Sequence, residues 1–418
     1  MNILITTSRM PFALDEIRKL GKAGHRVFAA DTFSAAPGSR SRYVNERLTY
    51  ASPRKETAKF LQDIQTMVRD KEVELIVPAF EEALYLAQHR HEVDYGAELF
   101  APEFEQLLRL HDKESFRELV DAIGLDVPQT IVARSHDELV AATEEIGDYF
   151  ARAAFSRGGV ELITNCGPLA GVIPLEEVEV RSDNPMLVQE YVEGVDVCSF
   201  SVCHHGRVVA HSTYEHPKEI EHAGGIVFES IESPPTLEAA QRIAEATNYH
   251  GQMSLDFMRT EDGRHYLIEC NPRPTAGVVV MPGEMFVRAI VDPSDRVDVA
   301  PAGARRKISS ALLRDMFMHP ESIMEDLEFL FGDAKEIYLD IDDPAPGWWQ
   351  VMSYRKVLEY KRETGSDDDR ADLMKAQFHD VLFDAPESVV ARSQRGSSLS
   401  LPSPDDGGDD PTPDSRAA

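Results

Sequence analysis

Two periodicities alternate over the first 110 or so residues. NILIT (2–6) is a short apolar run, PFALDEIRKLGKAG (11–24) repeats apolar positions at helical spacing, and HRVFAAD (25–31) is a second apolar run. VELIVPAF (73–80) and EEALYLAQH (81–89) repeat the strand-then-helix order, which predicts an open parallel sheet flanked by helices. A new unit starts at HDKESFRELVDAIGLDVPQT (111–130), where a helix stops at Gly124 and Pro128 leads into the strand IVARS. Strands and hairpins dominate from about 150 to 232, and TLEAAQRIAEATNY (236–249) is a clear helix. Helical stretches near 320–332 and 351–362 surround KEIYLDID (335–342). No internal repeat is visible.

The segment richest in chemistry is GQMSLDFMRTEDGRHYLIECNPR (251–273). Two β-rich runs flank Asp262-Gly263, a two-residue hairpin signal. Counting outward sets Glu261 against Arg264, Phe257 against Ile268, Asp256 against Glu269 and Ser254 against Asn271, with the last two pairs on one face. Opposed carboxylates repel, and a hard divalent cation held by carboxylate and amide oxygens relieves the repulsion. Magnesium bridging the protein to nucleotide phosphates fits this donor set best. The plain alternative is a surface hairpin with solvated acids on its polar face. Asn271-Pro272-Arg273-Pro274 then ends the strand with an amide ligand, a chain direction set by proline and a guanidinium suited to phosphate or carboxylate.

Composition narrows the classes. The 418 residues suffice for two or three domains, and 42% hydrophobic with 28% charged residues is a globular balance. A formal net charge of −30 argues against nonspecific nucleic-acid binding, since phosphate-backbone affinity needs clustered cations, and only Arg305, Arg306 and Lys307 are compact. The N-terminal MNILITTSRMPF lacks a basic stretch followed by an apolar run, and no run of about eighteen apolar residues occurs, so a cytoplasmic protein away from the membrane is expected. Four cysteines, Cys166, Cys198, Cys203 and Cys270, show no C-x-x-C spacing, which disfavours structural zinc and disulfides. From about 387 onward the Ser, Pro, Asp and Gly content predicts a disordered acidic tail.

Other segments carry weaker signals when taken singly. ARAAFSRGGVELI (151–163) is a strand interrupted at Ser156-Arg157-Gly158-Gly159, where glycine amides can converge on phosphate oxygens and Arg152 and Arg157 supply charge. An exposed hairpin turn is the equal alternative. MLVQEYVEGVDVCSFSV (186–202) turns at Glu193-Gly194; it is either a plain hairpin or a hinge whose backbone near Glu190 to Val192 meets an adenine edge while Asp196 accepts from ribose hydroxyls. The first turn, TTSRMP, lacks the glycines of a dinucleotide fingerprint, so Asp31 is weak evidence for ribose binding and an NAD enzyme is disfavoured.

The order of these pieces is distinctive: a D-K helix start, an R-x-x-F-S-x-G-G loop, Q-E-Y-V-x-G-x-D, then D-F and I-E-x-N-P-R. The series resembles the ATP-grasp superfamily and looks most similar to the carbamoyl-phosphate synthetase large chain and related carboxylate-amine ligases, over roughly residues 1–300. The likeness implies an α/β plus α+β chain. A Rossmann-like open parallel domain (1–110) would precede a two-lobed ATP-grasp domain (111–300), with a small lobe at about 130–195 and a large lobe at about 196–300, followed by an extension (301–386) and the tail (387–418).

It also implies roles. Lys113 and Arg152 would touch ATP phosphates, Ser156, Gly158 and Gly159 would cover them, Gln189, Glu190, Tyr191 and Val192 would hold adenine, and Asp196 would hold ribose. Asp256, Glu269 and Asn271 would bind magnesium, with manganese as the alternative ion. Arg273, with Arg152 and Asn271, would act on the transferring phosphoryl group or hold the substrate carboxylate. Many relatives carry lysine where Arg152 stands and longer side chains where Asp196 and Asp256 stand. Glu219, Glu221 and His222, before Gly224-Gly225, are candidates for the acceptor site or form a solvated loop.

The implied chemistry is ADP-forming activation of a carboxylate as an acyl phosphate, followed by attack of an amine or similar nucleophile. The expected partners are a small-molecule carboxylate and an amine, with a homodimer as a further option, and neither nucleic acid nor membrane. An ATP-binding regulatory protein, or a carboxylate kinase without a second step, is the alternative.

Overall fold

The computed structural model describes residues 1–156, 162–219, 224–364 and 377–383. The turn at Gly158-Gly159, together with Arg157, Glu221, His222 and the 387–418 tail, lies outside the described residues.

The N-terminal apolar runs become a parallel sheet. Strands β1 (Asn2–Ile5), β2 (Arg26–Asp31), β3 (Val44–Thr49), β4 (Leu75–Val77) and β5 (Glu98–Leu99) lie in the order β3-β2-β1-β4-β5, all parallel. The nearly unbroken burial of β1, β2 and β4 follows from cover on both faces. Helices α1 (Pro11–Lys22), α2 (Thr57–Lys71), α3 (Glu82–Gln88) and α4 (Phe104–His111) connect and cover it. Pro11 at the first helical position suits α1, because that residue needs no amide donor. β3 and α2 go unpredicted: β3 is a half-exposed edge strand with four charged or polar side chains in NERLT, so its pattern lacks an apolar run.

Helix α5 (Lys113–Ala122) opens the next unit, and its N-cap Asp112 accepts from the Ser115 amide at 2.9 Å. Strand β6 (Thr130–Ala133), helix α6 (His136–Ile146) and strands β7 (Tyr149–Ala153), β8 (Ile163–Thr164) and β9 (Met186–Glu190) form a small antiparallel sheet in the order β6-β9-β7-β8. A larger sheet follows: β10 (Val195–His204), β11 (Arg207–Glu219), β12 (Gly225–Ile231), β13 (Gly251–Arg259) and β14 (His265–Asn271), with α7 (Pro234–Thr247) between β12 and β13. The chain continues through α8 (Gly277–Val280), α9 (Gly283–Val291), β15 (Asp298–Val299), β16 (Arg305–Lys307), α10 (Ser309–Met318), α11 (Ile323–Phe331), β17 (Lys335–Glu336) and α12 (Ala345–Thr364). β15 pairs with β11, while β16 and β17 extend the large sheet beyond β12.

Two cores fix this large sheet in place. One face packs Val197, Leu255 and Phe257 against Leu119 of α5 and Ala240 and Ile243 of α7. Elsewhere Phe200 and Val202 join Ile3, Ile5 and Val27 of the N-terminal sheet and Ile17 of α1 in one cluster. The large sheet is thereby seated against the parallel domain through buried apolar area, the main favourable contribution to such packing.

Candidate active site

Strand alternation sorts the side chains of the large sheet. Val197, Leu255 and Phe257 enter the core, so Asp196 and Cys198 on β10, Asp256 and Met258 on β13, and Glu269 and Asn271 on β14 take the other face. Cys198 is opposite both Tyr214 and Asp256, Asp256 is opposite Glu269, and Ser254 is opposite Asn271. With Arg152, Ser156 and Gln189 to Val192 from the small-sheet side, Asp196, Cys198, Asp256, Met258, Glu269 and Asn271 line one cleft of about 1920 Å³.

The predicted pairs Asp256–Glu269 and Ser254–Asn271 are present, but the turn differs from expectation. Arg259 pairs with His265, Met258 with Tyr266 and Phe257 with Leu267, so the loop is longer than Asp262-Gly263 and the register near it is displaced by one. Thr260 N–H donates to Arg264 carbonyl at 3.0 Å, and Gly263 takes φ +88°, the left-handed region glycine tolerates. A bulge at Ile268, between the Phe257–Leu267 and Asp256–Glu269 pairs, then restores the register. Two departures from the simple count cancel where the chemistry lies.

Opposite charges converge on Glu269. Its Oε2 accepts from Arg152 at 2.5 Å and lies 3.9 Å from Lys113 Nζ, while Arg152 also donates to the Ile268 carbonyl at 2.9 Å. Lys113 Nζ donates to the Ser156 carbonyl at 2.7 Å. Lys113 is buried rather than a surface lysine, because its place at the start of α5 faces this cluster. Asn271 Nδ2 donates to Asp256 Oδ2 at 2.9 Å and to Glu269 Oε1 at 3.2 Å, and Arg273 donates to Asn271 Oδ1 at 3.0 Å.

The two carboxyls respond in opposite directions. Burial raises Asp256, and the Glu269 charge raises it further, so its proton is held far above the usual carboxyl range. Burial also opposes the Glu269 charge, but Arg152 and Lys113 outweigh it and hold Glu269 below that range. A proton on Asp256 thus balances the site. The donor set fits a divalent cation: two carboxyls and an amide face one another, and a cation can replace that proton as the source of balancing charge. Asn271 would have to turn its amide by half a rotation to offer Oδ1 to the ion, an interchange of near-isosteric groups.

A second cluster borders the Glu193-Gly194 turn. His216 Nδ1 lies 3.3 Å from Asp196 Oδ2 and 3.2 Å from Glu219 Oε1, while Cys198 Sγ contacts Asp196 Oδ1 at 3.9 Å. Burial would lower the His216 pKa, yet Asp196 and Glu219 more than offset it and hold it at about 9.

At the end of β9, Glu190 N–H donates to Gln129 carbonyl at 2.9 Å and Tyr191 N–H to Asp148 carbonyl at 2.8 Å, so these two amides are bonded within the protein rather than directed at a ligand. Gln189 is buried, and its side-chain amide donates to Thr130 Oγ1 at 3.2 Å. Gly194 sits so close to β13 that an added Cβ would meet the Arg259 carbonyl at 2.4 Å. Ser156 Oγ donates to Ala153 carbonyl at 2.8 Å, and Val192 lines the cleft.

No local sequence signal marks His216 as a site residue. A hairpin count from the His204–Arg207 pair sets Asp196 against Glu215; a bulge at Val209 shifts the pairing to Cys198–Tyr214 and brings His216 beside Asp196. Asp31 has a different role from ribose binding: it is fully buried and accepts from Arg9 Nε at 2.9 Å and from the Arg9 amide at 2.8 Å. Of the cysteines, Cys198, Cys203 and Cys270 are buried, Cys166 is half-buried, and all four are free.

No family model matches the sequence. Among solved structures, the chain is similar to the biotin carboxylase domain of Hydrogenobacter thermophilus 2-oxoglutarate carboxylase, solved with MgADP, ADP and bicarbonate: TM-score 0.54, 15% identity, 71% of each chain covered. It is also similar to an ADP complex of PurK, N5-carboxyaminoimidazole ribonucleotide synthetase, with TM-score 0.57 and 11% identity over 77% of this chain and 85% of that one. Staphylococcus aureus N5-carboxyaminoimidazole synthetase gives TM-score 0.56 and 14% identity over 77% and 86%. At such identities the likeness is one of fold. With its parallel N-terminal sheet followed by a small antiparallel and a large mixed sheet around one cleft, the chain shares the overall fold of these structures, the architecture that the resemblance to the ATP-grasp superfamily implies.

Proposed function

We propose that this protein is a magnesium-dependent ligase that uses ATP to activate a carboxylate as an acyl phosphate, releases ADP, and delivers the acyl group to an amine or similar nucleophile with release of inorganic phosphate. The observation that carries this reading is the unbroken contact chain Lys113 and Arg152 to Glu269, Glu269 to Asn271, and Asn271 to Arg273, of which Arg152, Glu269, Asn271 and Arg273 line one cleft. It alternates cations suited to phosphates with oxygen donors suited to a hard cation, the arrangement phosphoryl transfer requires. The fold's similarity to structures holding ADP or MgADP supports the nucleotide part.

Asp256, Glu269 and Asn271 would hold magnesium, which when bound neutralises phosphate charge and, as manganese could equally do, links nucleotide to protein. Lys113 and Arg152 would then turn from Glu269 toward phosphate oxygens, and Ser156 with Gly158 and Gly159 would cover them. Gln189 to Val192 would flank the base and Asp196 the ribose. Arg273 would balance charge on the transferring phosphoryl group or orient the acid. No covalent protein intermediate is required, because positioning and charge balance supply the barrier reduction.

Hydroxylamine trapping tests the reading. ATP, magnesium and an acid panel should yield hydroxamate together with ADP, and adding an amine should divert the acyl group into an amide. Hydroxamate without amide for any amine would leave a carboxylate kinase, and no acid-dependent ADP release would leave an ATP-binding protein without ligation.

A further inference from the structure

The cleft also takes in residues to which the proposed nucleotide site assigns no role, among them Phe80 and Phe378. Arg273 lies with its guanidinium carbon 4.5 Å from the Phe80 ring centre, and Phe80 stacks on Phe378 at 4.9 Å and 29°. Both rings border the cleft. Phe378 belongs to residues 377–383, which return from the C-terminal extension to the edge of the parallel domain.

This return is firmly held. Asp380 accepts from Arg9 at 2.8 Å and from the Tyr360 hydroxyl at 2.8 Å, and its carbonyl accepts from Ser52 Oγ at 2.6 Å. Phe383 N–H donates to Glu81 Oε2 at 2.9 Å, and the Tyr85 hydroxyl donates to Leu382 carbonyl at 2.7 Å. Beyond Phe378, Arg54 donates to the His379 carbonyl at 3.0 Å, giving the region a polar rim. A buried ion pair and several backbone contacts therefore fix an aromatic wall beside a guanidinium, a composition typical of a small-molecule pocket: apolar faces with a few placed polar groups.

We propose that this end of the cleft is the acid-substrate pocket and takes a carboxylate bearing a flat apolar group. Arg273 faces the carboxylate, and the partly buried Phe378 ring packs against the apolar body, with the buried Phe80 ring holding both Arg273 and Phe378 in place from behind. The assignment rests on the ligase reading for the role of Arg273, and it makes the C-terminal return part of the substrate site.

Calorimetric titration of phenylacetate and of acetate into the MgADP-loaded full chain tests it. Phenylacetate should bind at least about tenfold more tightly, the gain from filling an apolar pocket. Phe378→Leu, which keeps apolar volume but removes the flat face, should narrow that ratio by roughly two- to tenfold. Equal binding of the two acids, no phenylacetate binding, or an unchanged ratio in folded Phe378→Leu protein overturns the pocket. The wild-type ratio decides the matter even if the variant does not fold. Hydroxamate formed from both acids with equal affinity sinks the pocket and leaves the ligase; tight, Phe378-dependent phenylacetate binding without hydroxamate does the reverse.

Discussion

The hairpins β13–β14 and β10–β11 lie side by side in the large sheet, and both contain a bulge. In β13–β14 the bulge offsets a turn longer than the Asp262-Gly263 signal suggests, so Asp256 and Glu269 face each other as a simple count predicts. In β10–β11 nothing offsets the bulge at Val209, and His216 comes beside Asp196 against that count. Register decides which polar groups share a face, and one inserted residue moves a whole set. The first hairpin supplies a charge-balanced oxygen cluster; the second supplies a cationic imidazole between two acids.

Removing charge from the first hairpin should have the largest effect. Glu269→Gln should lower magnesium-dependent ADP release by about 10²- to 10³-fold, comparable to losing one preorganised electrostatic group, with circular dichroism confirming a native fold. In the second hairpin, His216→Ala should raise KM for ATP by about tenfold, the value of one lost charged contact. A KM equal to that of wild type would separate this cluster from nucleotide binding.

Asp256→Asn distinguishes strain from scaffolding. It replaces a carboxyl that must take up a proton on folding, and should stabilise the metal-free protein at neutral pH by about 1 kcal/mol in urea unfolding, while abolishing magnesium-dependent turnover. A loss of stability would mean that the acid supports the fold.

The smallest expected effect is in pH. His216 has a folded-state pKa of about 9, above the ordinary histidine value. The folded state therefore binds its proton more tightly than the unfolded chain, and the resulting stability is complete below about pH 6.5 and lost as pH rises toward 9. Unfolding curves across that window should show wild type losing stability relative to His216→Gln. Parallel curves would exclude the ion pair as a contributor.

The parallel domain was readable because buried strands such as NILIT and RVFAAD are uniformly apolar, whereas β3, a polar edge strand, carries no such mark. In the candidate site, Asp256, Glu269, Asn271 and Arg273 are close in sequence and joined by a single hairpin. His216 depends on a bulge, and the approach of Lys113 and Arg152 to Glu269 depends on the packing of separate units. The return of residues 377–383 to Arg9 spans more than 300 positions and left no local pattern to read.

The most direct measurement is Mn²⁺ binding by electron paramagnetic resonance, with ADP present, in wild type, Glu269→Gln and Asn271→Ala. Nucleotide-dependent binding in wild type that is lost in Glu269→Gln and weakened in Asn271→Ala is the predicted result. Equal binding in all three proteins would contradict the assignment of the cation to this hairpin.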